Sequence, residues 1–225
     1  YESSSPVPPE PPEASDAADD RVQHLLDLGY VDPVATAARQ EAKRLGDVAK
    51  FHRALSLADA GAAEEALHLL THLAEASPTW ISVGNARADL ALRLGCVDQA
   101  ANSLQRLIEH GAESAQLYLL QARIALTKRD LPAAEQALEV ARRIDPHLAG
   151  LPLLRGVVAS RQSDYPTAAE AFRLAIQVAG STAAAEEGLA LCRFAEGQLD
   201  EAADHALRAI ACDPTYARAH YRLGR

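Results

Sequence analysis

The sequence predicts an all-α fold, a solenoid of stacked antiparallel helix pairs, and three observations predict it. From Asp47 onward the chain aligns on itself with a period of 34 residues and no gaps, as 47–80, 81–114, 115–148, 149–182 and 183–216; a sixth unit begins at 217 and stops at Arg225. Small residues return at the same two places of each unit. Alanine is abundant while aromatics make up only 4% of the chain, which suits close-packed helices better than a sheet sandwich rich in Val, Ile, Thr, Tyr and Phe.

Residues 1–20 hold five prolines, six acids, no bases and no large apolar residue except Val7. Proline removes helix hydrogen bonds and like charges repel, so this segment reads as a disordered, partly extended linker. Residues 21–46 read as linking or capping helices. The first runs from about Asp20 to Leu28, ended by Gly29 and blocked by Pro33; a second helical stretch covers about Val34 to Leu45.

The units follow. Place 8 holds Ala54, Ala88, Ala122, Gly156 and Ala190, and place 20 holds Ala66, Ala100, Ala134, Ala168 and Ala202. With no bulk beyond Cβ at either place, two helix backbones can approach closely. Place 24 (Leu70, Leu104, Leu138, Phe172, Ala206) and place 27 (Leu73, Leu107, Ala141, Ala175, Ala209) share a face with place 20, being four and three residues further along one helix. Gly61, Gly95 and Gly197 occupy place 15, where the first helix is expected to end in a left-handed turn; Arg129 and Ser163 replace glycine there. Ser77-Pro78, Asp145-Pro146 and Asp213-Pro214 read as a capping residue followed by proline at the first position of the next helix. A lone helix pair cannot bury its apolar face, so successive pairs must stack. The stub 217–225 reads as the first helix of a further unit, and the chain, which opens at Tyr1 without Met, is expected to be a piece of a longer protein.

This pattern resembles the tetratricopeptide repeat family. The period and the order of small, large and proline places carry the resemblance, most closely in DYPTAAEAFRLAI, GQLDEAADHALRAIACDP and YARAHYRLG. It implies a right-handed superhelix whose concave side, lined by first helices, binds peptides or partner proteins. HLLDLGYVDP within 22–33 resembles the C-terminal edge of alkaline-phosphatase-superfamily hydrolases (phosphodiesterases and sulfatases), some bacterial members of which continue into such repeats. That resemblance implies a metal-dependent hydrolase domain covalently linked upstream, although none of that family's metal ligands or its nucleophile can be placed in this sequence.

Charge narrows the partner class. The net charge is −9, of which the first 20 residues carry −6, so the remaining body is nearly neutral and lacks the basic footprint that nucleic acid requires. No apolar run approaches the roughly 18 residues that span a bilayer. Cys96, Cys192 and Cys212 are widely spaced and read as small packing residues rather than a disulfide framework or zinc site. His68 and His72 lie four apart after Glu64 and Glu65, and read as an exposed helix face rather than a metal site. Glu186-Glu187 and Asp200-Glu201 read as acids offsetting helix dipoles. No catalytic residue, phosphate-binding loop, metal or cofactor is expected.

In the family, places 2, 5, 9, 12 and 13 face the concavity. The candidate groove residues are Phe51, Leu55, Asn85, Asp89, Arg93, Leu119, Arg123, Leu126, Leu153, Val157, Arg161, Leu191 and Phe194. The Lys and Asn with which chaperone-binding relatives clamp a C-terminal carboxylate are missing. Instead an apolar strip of Leu119, Leu126, Leu153, Val157 and Leu191 is edged by Arg93, Arg123 and Arg161. Such a strip suits an apolar or amphipathic helix with acidic flanks, unless its leucines merely pack between units. The expected function is a protein-interaction scaffold. The rivals are the tail of a hydrolase and a self-associating structural module.

Overall fold

The computed structural model describes residues 33–224, with side chains from Gln40. The linker 1–20, the short helix expected over 20–28 and all but the last residue of the hydrolase-like segment 22–33 lie outside the described residues. Eleven helices and no strand occur among the described residues: α1 Pro33–Asp59, α2 Ala63–Ala76, α3 Ile81–Arg93, α4 Val97–Glu109, α5 Ala115–Thr127, α6 Leu131–Ile144, α7 Gly150–Arg161, α8 Tyr165–Ala179, α9 Ala183–Ala195, α10 Leu199–Cys212 and α11 Ala217–Leu223. None of them is long and apolar enough to cross a membrane.

α1 joins what the sequence suggests as two helices. It runs unbroken past Gly46, and Lys50 pairs with Asp47 one turn back at 2.9 Å. A lone glycine costs a helix only about 1 kcal/mol relative to alanine, and the Ala-, Arg- and Lys-rich flanks propagate through it. The chain divides into two compact units between His52 and Arg53. The first contributes the part of α1 up to His52, and everything from Arg53 onward belongs to the second.

In the second unit the even-numbered helices α2 to α10 begin at 63, 97, 131, 165 and 199, each 34 residues after the last. The turn before each of these helices passes through a left-handed residue at place 15, with φ of 86° at Gly61, 77° at Gly95, 63° at Arg129, 65° at Ser163 and 78° at Gly197. The backbone therefore keeps the turn even where the sequence lacks glycine. Asp130 and Asp164 compensate: each caps the next helix by accepting from the backbone N–H of Ala133 or Thr167.

The Ser-Pro and Asp-Pro pairs behave differently from expectation. Ser77, Asp145 and Asp213 terminate the preceding helix, donating their backbone N–H groups to the carbonyls of Leu73, Ala141 and Ala209. Asp145 and Asp213 then accept from the N–H groups two residues on, at His147 and Thr215. This local carboxylate turn stiffens the link, and the next helix starts only after it. Pro132 and Pro166 do sit at helix starts, in the first turns of α6 and α8, and Pro33 opens α1.

Packing follows the recurring places. Ala54, Ala88, Ala122 and Ala190 at place 8, and Ala66, Ala100, Ala134, Ala168 and Ala202 at place 20, are all buried. So is every residue at places 24 and 27. Ala134→Leu is expected to overpack the α5–α6 contact and cost about 1–3 kcal/mol, read as a lower denaturation midpoint.

Within the second unit each odd-numbered helix from α3 to α9 packs on the helix that follows it. It also touches the next odd-numbered helix, giving a continuous row α3, α5, α7, α9, α11. Among the described residues no comparable contact joins one even-numbered helix to the next. The closely spaced row is the inner side of the stack, and the splayed helices are the outer side.

Candidate partner-binding groove

A groove of about 730 Å³ opens along the inner row from α5 to α11. Its apolar floor is Leu153, Leu154 and Val157 on α7 with Leu191 on α9, all half-buried, backed by the edge of the buried Phe172 ring. Arg123, Arg161, Arg218 and Arg222 stand around this floor, and Tyr216 and Tyr221 close its far end. A second hollow of about 630 Å³ continues past Leu126, Thr127, Arg129 and Leu131, and shares Arg161 and Arg218 with the first.

The four arginines are not equivalent. Arg123 pairs with Asp89 on α3. Arg222 binds Glu187 at 3.0 Å, with its guanidinium 5.9 Å above the Phe194 ring. Arg161 donates to the carbonyl of Leu126. Among the described residues neither Arg161 nor Arg218 has a carboxylate within ion-pair distance. Burial pushes the Tyr216 hydroxyl above its usual pKa and the Glu187 carboxylate adds to the effect, while Arg218 pulls the other way.

The structure brings together Arg123, Leu153, Val157, Arg161 and Leu191 from the sequence candidates. Leu119 and Leu126 are only 7% and 5% exposed and lie in the core of α5, α6 and α7, where they hold helices together, and of the two only Leu126 also edges the second hollow. The reason is the close α5–α7 approach: a Cβ at Gly150 would stand 2.7 Å from Leu119. Asp89 is engaged by Arg123, and the half-buried Asn85 keeps its side-chain oxygen buried without a hydrogen-bond partner in the described structure. Leu55 and Arg93 are exposed and do not line this groove, and Phe194 lies under Arg222. Phe51 belongs to the first unit, where its ring lies 5.8 Å from that of His52.

Glu187, Tyr216, Arg218, Tyr221 and Arg222 are groove residues that sequence reasoning missed. A signal existed for three of them. Glu187 is place 5 of its unit, which the rule for inward-facing places already covers, and Arg218 and Tyr221 are places 2 and 5 of the stub, which the rule reaches once it is carried past residue 194. Glu186 stands in the first turn of α9 as an acid at a helix start should, but neither it nor Glu187 faces solvent. Both are buried, Glu186 held by Ser181 at 2.6 Å and His205 at 2.8 Å, and Glu187 by Arg222.

A stack of helix hairpins with a groove along its inner row defines a helical-repeat scaffold. The family model described as Tetratricopeptide repeat matches residues 85–149 and 153–217, and the chain belongs to this family. The fold is similar to that of TTC0263, a tetratricopeptide repeat protein of Thermus thermophilus, at 21% identity and a TM-score of 0.67 over 79% of this chain and 97% of that one. It is similar to a chain of the Cut9–Hcn1 hetero-tetramer of the APC/C at 18% identity and a TM-score of 0.74 over 79% of this chain and 35% of that one. YrrB, described as having an unusual peptide-binding site, matches at 14% identity and a TM-score of 0.55 over 84% of this chain and 97% of that one. In sequence, 68 residues are 38% identical to the repeat-containing thioredoxin TTL4 of Arabidopsis thaliana, covering 30% of this chain and 10% of that protein. The chain thus spans about a tenth of the length of that curated relative.

Proposed function

We propose that the chain is a protein-interaction scaffold that holds an apolar helical segment of a partner, flanked by acidic residues, in the groove of α5, α7, α9 and α11. One observation carries the reading: an apolar floor bordered by Arg161 and Arg218, two guanidinium groups that have no carboxylate of their own among the described residues. The apolar face of a helix would cover Leu153, Val157 and Leu191, and its flanking carboxylates would meet the two arginines in charge-assisted, two-pronged hydrogen bonds. Such bonds contribute about 1.5–3 kcal/mol each when partly desolvated. The peptide-binding site in the description of YrrB is in keeping with this reading but concerns a distant relative. The scaffold reading assigns the chain no chemistry of its own.

Selection from a random library of displayed peptides tests it. Enriched sequences are expected to place Leu, Ile or Phe at helical spacing next to Asp or Glu. Arg161→Glu and Arg218→Glu should each weaken a selected peptide about tenfold or more, with helicity unchanged. Enrichment of basic peptides, or binding indifferent to both reversals, would contradict it.

A further inference from the structure

The exposed face of α2 carries a feature that the groove does not use. His68 and His72 cross as a T, with ring centroids 4.4 Å apart and planes at 80°. Their Nε2 atoms approach to 3.3 Å. Two imidazole nitrogens bound to one ion at about 2.0–2.1 Å with a tetrahedral angle between them would stand about 3.3–3.4 Å apart, so these two, now within hydrogen-bond range of each other, already sit at a spacing that one ion can bridge. The Glu75 carboxylate lies 3.8 Å from Nδ1 of His72. At that distance it makes no hydrogen bond to the ring and acts through its charge alone. The negative charge of Glu64 and Glu65, one turn earlier and exposed, favours a cation on this face.

We infer that His68 and His72 form a two-nitrogen site for a borderline divalent transition-metal ion such as Zn²⁺ or Ni²⁺. Among the described residues no third His, Cys, Asp or Glu completes a group of three, so water or a donor from another molecule fills the remaining positions. Imidazole ligands discriminate against Mg²⁺ and Ca²⁺, which take oxygen. The inference is independent of the groove, since α2 contributes no residue to it.

Titration of the whole chain with Zn²⁺ alone, followed through the histidine ring resonances, tests the site. His68 and His72 are expected to shift together at one equivalent, while the other six histidines of the chain stay in place. Mg²⁺ should move none of them. His68→Ala and His72→Ala should each abolish the response with helicity retained, both side chains lying on the solvent side of α2. Zn²⁺ that shifts neither ring, or that binds the His68→Ala chain as tightly as the parent, would overturn the site and leave the 3.3 Å contact as a hydrogen bond between the rings.

Discussion

Phe172→Ala is expected to cost about 3–5 kcal/mol, among the largest losses available to a single substitution in the second unit. Phe172 is 2% exposed on α8, and its ring is gripped from two sides. A Cβ at Gly156 on α7 would stand 2.7 Å from it, and one at Gly188 on α9 2.5 Å. The two glycines leave a slot that only a flat ring fills, so three helices meet on one side chain directly behind the groove floor. Removing the ring forfeits its transfer from water and leaves a cavity that neither glycine can close. Gly188→Ala alone is expected to overpack the slot and cost about 1–3 kcal/mol, whereas in the Phe172→Ala background it should cost nothing or restore stability. Urea denaturation of the three variants measures this coupling. A Phe172→Ala loss below about 1 kcal/mol would mean that the ring is not the keystone of α7, α8 and α9.

Arg222→Met is expected to destabilise the end of the stack formed by α9, α10 and α11 by about 3 kcal/mol, because it leaves a buried carboxylate without its cation. The side chains of Arg222 and Glu187 are only 14% and 10% exposed, so solvent screens the pair little. The cost is mostly the desolvation of Glu187 once unpaired, not the intrinsic strength of the bridge. Glu187→Leu combined with Arg222→Met should therefore recover most of the loss, since the pair is then replaced by apolar groups. A double-mutant cycle in urea reads this directly: a single loss under about 1 kcal/mol, or no recovery in the double variant, contradicts the assignment. The pair also matters to the groove. With Glu187 neutralised by Arg222 and Asp89 by Arg123, the charge left to a partner is that of Arg161 and Arg218.

Much of the fold is legible because it rests on positions where only one kind of side chain fits. The alanines at place 20 and the large residues that fill place 24 in the first four units lie where two helices close on each other, and burial at those sites demands a size the sequence displays. The left-handed turn at Arg129 and Ser163 is legible only through the period, because neither residue favours that conformation by itself. The Asp-Pro links mislead because an acid before proline suits a helix start and a local turn equally well, and only the chain beyond decides between them. The groove is half legible. Sequence spacing gives the direction in which a helix position faces, but not the distance to the next helix. That distance puts Leu119 and Leu126 in the core and leaves Leu153, Val157 and Leu191 open. The pairing of Glu187 with Arg222, 35 residues apart, depends on two helices meeting at the end of the stack and has no local signature.

The most direct test of the scaffold account is to map where a selected acidic, apolar peptide lands. Backbone and methyl chemical shifts of the labelled chain are recorded as the peptide is added. Perturbations are expected at Leu153, Val157, Leu191, Arg161 and Arg218 along the inner row, with Leu174 and Val178 on the outer face of α8 unmoved. Shifts concentrated on Leu174, Val178 and Leu207 instead would place the partner on the outside of the stack and contradict the account.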